Sequence, residues 1–182
     1  ILSWHGEEEE LDDLRERFED MTGTEARYYK LIPVAHQTGD ALLPLALAKS
    51  AGRDDLIAFS SGAAGGWTRL LAPRLGAPVI YGSAGAEPAA PGQKSIERLR
   101  ADYGLPSLPA VRYIYGIVGN PVRHSLSPRL YNRMFRERGV PAIYLPFDVD
   151  TFGDVWLDVV ESGSLEVLGF TLRGLSVTAP FK

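Results

Sequence analysis

The stretch YGIVGNPVRHSLSPRLYN, residues 115–132, changes character twice along its length. An apolar run closes at Gly119-Asn120-Pro121, and an amphiphilic run opens at Pro128. Pro128 suits the first turn of a helix, where its missing N–H is no loss. Ser127 is then the expected N-cap, its hydroxyl accepting an orphan backbone N–H. The stretch therefore reads as strand, loop and helix, one β–α unit, with Ser125 left over by the capping argument.

The same rhythm extends on both sides. Downstream, Ala142–Val149 reads as a strand, Phe152–Ser162 as a helix, and Val167–Val177 contains a last strand. Upstream, a strand at Arg112–Val118 comes after Gly104-Leu-Pro-Ser-Leu-Pro109, whose two prolines mark a linker. Before the linker, the predicted strands are Ile1–Trp4, Tyr28–Ala35, Leu56–Phe59 and Val79–Tyr81. The predicted helices between and after them are Glu7–Asp20, Ala41–Ser50, Trp67–Leu75 and Lys94–Tyr103. Strands alternating with helices of this length imply α/β architecture with parallel sheets. A complete (β/α)₈ barrel takes about 250 residues, so the first piece has room for about half of one. Neither end of the chain carries a capping element, and the expectation is an interior piece of a longer protein.

Composition narrows the function classes. Of 182 residues, 45% are hydrophobic and 23% charged, ordinary values for a globular chain. No run of about 18 apolar residues suggests a membrane span, and no basic-then-apolar leader is visible. The absence of cysteine excludes disulfides and thiolate metal sites and suits the cytosol. A net charge of −4 gives no reason to expect nucleic acid. His5, His36 and His124 are scattered, so no metal is expected.

Several residues have the chemistry of a site. A helix N-terminus offers unpaired N–H groups and partial positive charge, which attract carboxylates. Ser125 and Ser127 add hydroxyl donors there, although a capping role alone also accounts for a serine. In GLSVTAPFK (174–182), Thr178 and Lys182 come after a strand; Lys182 reads equally as a solvated surface lysine. Lys30 sits inside the apolar YYKLIPVA. Facing inward, its ammonium is destabilised and an amine is freed for Schiff-base chemistry; on an edge strand it would instead point to water. His5 ends a strand, on the side where parallel barrels place their chemistry. Arg69 suits bidentate carboxylate binding and Gln93 offers donor and acceptor; either also fits a surface or turn role. His36 has no assignable function; Asn132 reads as structural, with closing the site as its other reading.

The pairing of YGIVGNPVRHSLSPRLYN with SVTAPFK resembles the N-terminal substrate-binding domain of shikimate dehydrogenase, over residues 112–182. The resemblance implies that Ser125 and Ser127 bind the shikimate carboxylate, Thr178 contacts ring hydroxyls and Lys182 is catalytic. It also implies an NADP cofactor, held by a domain absent from these residues, which carry no G-x-G-x-x-G. Ser176 stands where that family commonly has Asn.

The ordered set of His5 after a strand, Lys30 in the next, G-x₆-R ending at Arg69, and Ala90-Pro-Gly-Gln93 resembles the C-terminal half of type I 3-dehydroquinate dehydratase, over residues 1–103. The resemblance implies that Lys30 forms an imine with the substrate ketone. His5 would be general base and acid, while Arg69 and Gln93 would bind the substrate carboxylate and hydroxyls. Three positions depart from that pattern: Ala89 for serine, Ser61 for methionine and Gly6 for an acidic residue. The dehydratase product is the dehydrogenase substrate, so the two resemblances together imply a bifunctional shikimate-pathway enzyme joined through residues 104–111. Its partners would be small molecules only: 3-dehydroquinate, 3-dehydroshikimate and shikimate. The expected location is the cytoplasm, or a plastid for a plant-type parent. A non-catalytic quinate or shikimate sensor built from the same domain pair is the alternative.

Overall fold

Strands β1 (Leu2–Gly6), β2 (Tyr29–Pro33) and β3 (Leu56–Ala58) lie side by side in chain order, all parallel. They belong to a computed structural model that describes every residue except 9, 86–89 and 91. Helices α1 (Leu11–Thr22) and α2 (Thr38–Ala51) form the crossovers. The register sets the faces. Tyr29, Leu31, Leu56 and Ala58 pack on Leu14, Phe18 and Met21 of α1 and Leu47 and Ala48 of α2. Alternate residues point the other way. Ser3 pairs with Lys30, His5 with Ile32 and Lys30 with Ile57, so these side chains share the face turned from α1 and α2.

Local chemistry explains the element ends. Helix α2 starts earlier than the apolar run suggests, because Gln37 and Asp40 form a capping box. It stops at Gly52, which takes a left-handed φ of 58°. The helix expected over Trp67–Leu75 is one turn of α-helix, α3 (Thr68–Leu71), continued by a 3₁₀ turn over Ala72–Leu75. Pro73 lacks the N–H that would continue the α-helical ladder. Gly62 has φ 85°, and a Cβ there would lie 2.6 Å from the Ala35 carbonyl oxygen, so the backbone tolerates only glycine at this close approach.

The fourth predicted strand is corrected: Val79–Tyr81 forms no ladder. Its β-branched and aromatic residues favour extension, but a strand also needs a neighbouring edge. Helix α4 (Ile96–Tyr103) comes next, capped by Ser95, whose hydroxyl accepts the Arg98 N–H at 3.2 Å. Contacts divide the chain into two compact units, built on Ile1–Tyr81 and on Gln93–Lys182. Helix α4 therefore belongs to the second unit.

That second unit holds β4 (Tyr113–Gly119), β5 (Ala142–Asp148) and β6 (Thr171–Val177), again parallel, in the order β5-β4-β6. Helix α5 (Ser127–Glu137) covers one face, where Phe135 meets Ile117, Ala142 and Tyr144. On the other side of β4, Gly116 makes room for the fully buried Phe147 ring. The helix predicted over Phe152–Ser162 is α6 (Phe152–Val155) running into a π-helical stretch over Trp156–Glu161. Gly163, at φ 69°, then turns the chain into α7 (Ser164–Val167). Among the described residues, no helix is long and apolar enough to cross a membrane.

Candidate functional sites

In the first unit, His5, Lys30 and Arg69 come within electrostatic reach of one another. Strand β2 lies between β1 and β3, so Lys30 is not an edge residue. Burial, and then the Arg69 charge, hold the Lys30 ammonium below the usual lysine range. His5 is exposed, yet partial desolvation first, and then Lys30 and Arg69, lower its pKa, which favours the neutral imidazole that can accept a proton. Arg69 itself, largely buried, is pushed down to about 10 by desolvation. Its guanidinium lies 4.4 Å from the centre of the Phe59 ring, and the Lys30 Nζ lies 4.6 Å from that of Tyr81. An amine with a depressed pKa beside a neutral imidazole and a cation suits covalent chemistry on a ketone acid.

Gln93 comes just after the turn at Gly92 and groups with the second unit. Ala89 and Pro91 lie outside the described residues. His36 hydrogen-bonds Glu7 through Nε2 at 2.9 Å on the surface.

In the second unit, the parallel strands bring three carboxyl ends together. Strand order reverses at β4, and such a switch point opens a crevice at that end of a parallel sheet. The loop after β4 carries Ser125 and leads into Ser127; the segment after β6 carries Thr178 and Lys182. They approach through the backbone: Thr178 N–H donates to the Val118 carbonyl at 3.0 Å, and Asn120 N–H to that of Ala179 at 3.1 Å. Lys182 is exposed. On the β5 side, the Asn120 side-chain amide donates to Asp150 at 2.8 Å, and Asp148 accepts the Val122 N–H. Burial holds the Asp148 carboxyl above its usual range.

The capping expectation for Ser127 is corrected. Ser125 Oγ accepts the Ser127 N–H at 3.2 Å, while Leu126 occupies the N-cap position without a side-chain cap. A serine two residues ahead can satisfy an orphan N–H as a local turn does. The Ser127 hydroxyl meets the Tyr144 phenol instead.

Sequence reasoning does not single out Tyr144. Its hydroxyl donates to Ser176 Oγ at 3.0 Å, and its ring stacks on Tyr131 at 4.7 Å. Burial is the first cause that raises this phenol above its usual pKa. The ring helps line a cavity of about 390 Å³ with Tyr115, Phe135 and Ser176. Its neighbour Asn132, 3% exposed, grips both the N–H and the C=O of Tyr144 at 2.7 and 3.0 Å. This pair of hydrogen bonds is a structural role, as the sequence suggests. An aromatic inside an apolar strand carries no sequence signal separating core from site.

Residues 1–107 match the family described as Type I 3-dehydroquinase, and residues 117–182 match the shikimate dehydrogenase substrate binding domain. The chain belongs to the type I 3-dehydroquinase family, and behind that segment it matches the shikimate dehydrogenase substrate binding domain. Across its whole length it is 31% identical to the shikimate biosynthesis protein AroDE of Chlamydia pneumoniae, of which it spans 36%. Over 69 residues it is 41% identical to the NADP(+) shikimate dehydrogenase of Pyrococcus furiosus, covering 38% of this chain and 23% of that protein. A solved structure of dehydroquinate dehydratase and shikimate dehydrogenase from S. pombe AroM aligns over 99% of this chain and 33% of its own, at 26% identity and TM-score 0.40. The chain thus spans about a third or less of the length of these relatives.

Proposed function

We propose that this chain is part of a bifunctional shikimate-pathway enzyme. Residues 1–103 carry the sequence of the C-terminal half of a (β/α)₈ dehydratase barrel, with α4 packed in the second unit; 104–111 are the linker, and 112–182 the shikimate-binding part of a dehydrogenase. The reading rests chiefly on Lys30 sharing a sheet face with His5 and an electrostatic neighbourhood with His5 and Arg69. The Lys30 amine adds to the ketone carbon of 3-dehydroquinate and expels water, leaving an iminium. The iminium withdraws electrons from the adjacent C–H bond, whose proton passes to His5. As the electrons form the ring double bond, the β-hydroxyl leaves and takes the proton back from His5 as water. Hydrolysis of the imine returns the Lys30 amine and releases 3-dehydroshikimate. Arg69 holds the substrate carboxylate.

In the dehydrogenase half, Ser125 and Ser127 seat the carboxylate of 3-dehydroshikimate or shikimate, and Thr178 contacts ring hydroxyls. Lys182 stabilises the developing alkoxide and handles its proton. NADP supplies or accepts the hydride when bound. Residues 1–182 contain no G-x-G-x-x-G phosphate loop, so the dinucleotide is expected to be held by other residues. The substrates are small acids.

Borohydride trapping tests the covalent step. Treating the full-length protein with 3-dehydroquinate and borohydride should leave a reduced adduct on the peptide carrying Lys30. The absence of an adduct in protein that reduces 3-dehydroshikimate would refute the dehydratase assignment; the absence of both adduct and reduction in folded protein would favour the sensor.

A further inference from the structure

Helix α4 falls inside the residues that match the dehydroquinase family, whereas α5 and the loop before it match the shikimate dehydrogenase domain. Yet α4 packs on α5 in the second unit. The contact centres on Asp102, a carboxylate only 2% exposed. Asp102 Oδ2 accepts from Arg98 Nε at 3.1 Å, and Oδ1 accepts from Arg129 Nε at 2.7 Å. Arg98 also donates from Nη1 to the Arg123 carbonyl at 2.9 Å. At the helix end, a Cβ on Gly104 would come within 2.8 Å of the Arg136 side chain of α5.

Arg123 and Arg129 bracket Ser125 and Ser127. One is held by its carbonyl and the other by its guanidinium, and both connections lead to α4. A buried carboxylate needs its charged partners, because desolvation strips it of water. Neither Arg98 nor Arg129 can leave Asp102 without cost, so both ends of the serine loop keep their distance from one helix.

We propose that Arg98 and Asp102 are positioning residues for the dehydrogenase: the last helix of the dehydroquinase segment holds the serine loop in its carboxylate-binding shape. The proposal rests on the assignment of Ser125 and Ser127 to shikimate binding. It makes affinity for shikimate in one activity depend on a helix belonging to the sequence of the other.

The test uses full-length protein carrying Arg98→Met or Asp102→Asn. Dehydrogenase kinetics are read separately for shikimate and NADP, with dehydratase turnover as a check on folding. The expected result is a rise in the shikimate KM of fivefold or more, with kcat and the NADP KM within twofold and dehydratase turnover retained. The conservative variant Arg98→Lys, which keeps the charge and can make one of the two bonds, should recover part of the affinity. An unchanged shikimate KM in folded protein overturns the proposal, as does a loss confined to kcat. If Asp102→Asn abolishes both activities by unfolding the chain, Arg98→Met, at a half-exposed position, decides the matter. Lys182→Met separates this idea from the reading beneath it: dehydrogenase activity surviving that change would remove the site assignment itself.

Discussion

The two parallel sheets place their chemistry in different ways. In β1-β2-β3 the strands keep chain order, and the reactive candidates His5 and Lys30 project from one sheet face. In β5-β4-β6 the order reverses at β4, and the candidate residues cluster beyond the strand ends. The two proposed chemistries have different needs. An imine-forming lysine must be partly desolvated to shed its proton, and a sheet face provides that. A carboxylate seat needs free hydroxyl and N–H donors, and these lie at helix starts and in loops.

A reciprocal pair of variants in the full-length protein puts this contrast to its hardest test. Lys30→Ala should reduce dehydratase turnover by about 10⁴-fold or more, the scale of losing a covalent nucleophile, while dehydrogenase turnover persists. Lys182→Met should do the reverse. Steady-state assays of both reactions check this, and a single variant that lost both would dissolve the distinction between the sites.

Packing gives a smaller effect. A Cβ at Gly116 would sit 2.5 Å from Phe147 Cε2 and 2.9 Å from the Leu145 carbonyl oxygen. Gly116→Ala should therefore destabilise the second unit by about 1–3 kcal/mol through overpacking, seen as an earlier denaturation midpoint. Tyr144→Phe removes a phenol that touches Ser176 and Ser127. Losing one such hydrogen bond is worth about 0.5–1.5 kcal/mol, so the shikimate KM should rise roughly two- to tenfold with kcat little changed. A KM equal to that of the parent would confine Tyr144 to the core.

The pH dependence of trapping refines the picture of the first sheet. Burial and Arg69 both depress the Lys30 pKa. Imine formation requires the free amine, which dominates above that pKa. Arg69→Met removes a cation, so the Lys30 pKa rises and the acid limb of borohydride trapping moves to higher pH. Mass spectrometry across a pH series reads the shift, and a limb that stayed in place would take Arg69 out of the electrostatics.

Much of the fold is legible in the order of residues. The strand–helix alternation leads to parallel sheets, and the residue types of the two candidate sites are visible in short ordered motifs. The departures have physical causes. Val79–Tyr81 has strand composition without a paired edge, and the Trp67–Leu75 helix loses its α-form at Pro73. Ser125 takes the bond expected of Ser127, because which hydroxyl reaches a given N–H depends on the path of the loop. Tyr144 escapes notice because a buried aromatic reads the same in a core as in a site.

Residue order alone is enough for the alternation of elements, the kinds of chemical groups at each candidate site and the family to which they point. Three-dimensional packing was needed to show that Lys30 occupies a central strand on the face turned from α1 and α2, that β4 lies between β5 and β6, and that α4 is tied to α5 through Asp102. The reason is that periodicity divides a strand into two faces without saying which one the helices will cover. Strand order and helix docking are set by contacts between residues distant in the chain, which no local pattern encodes.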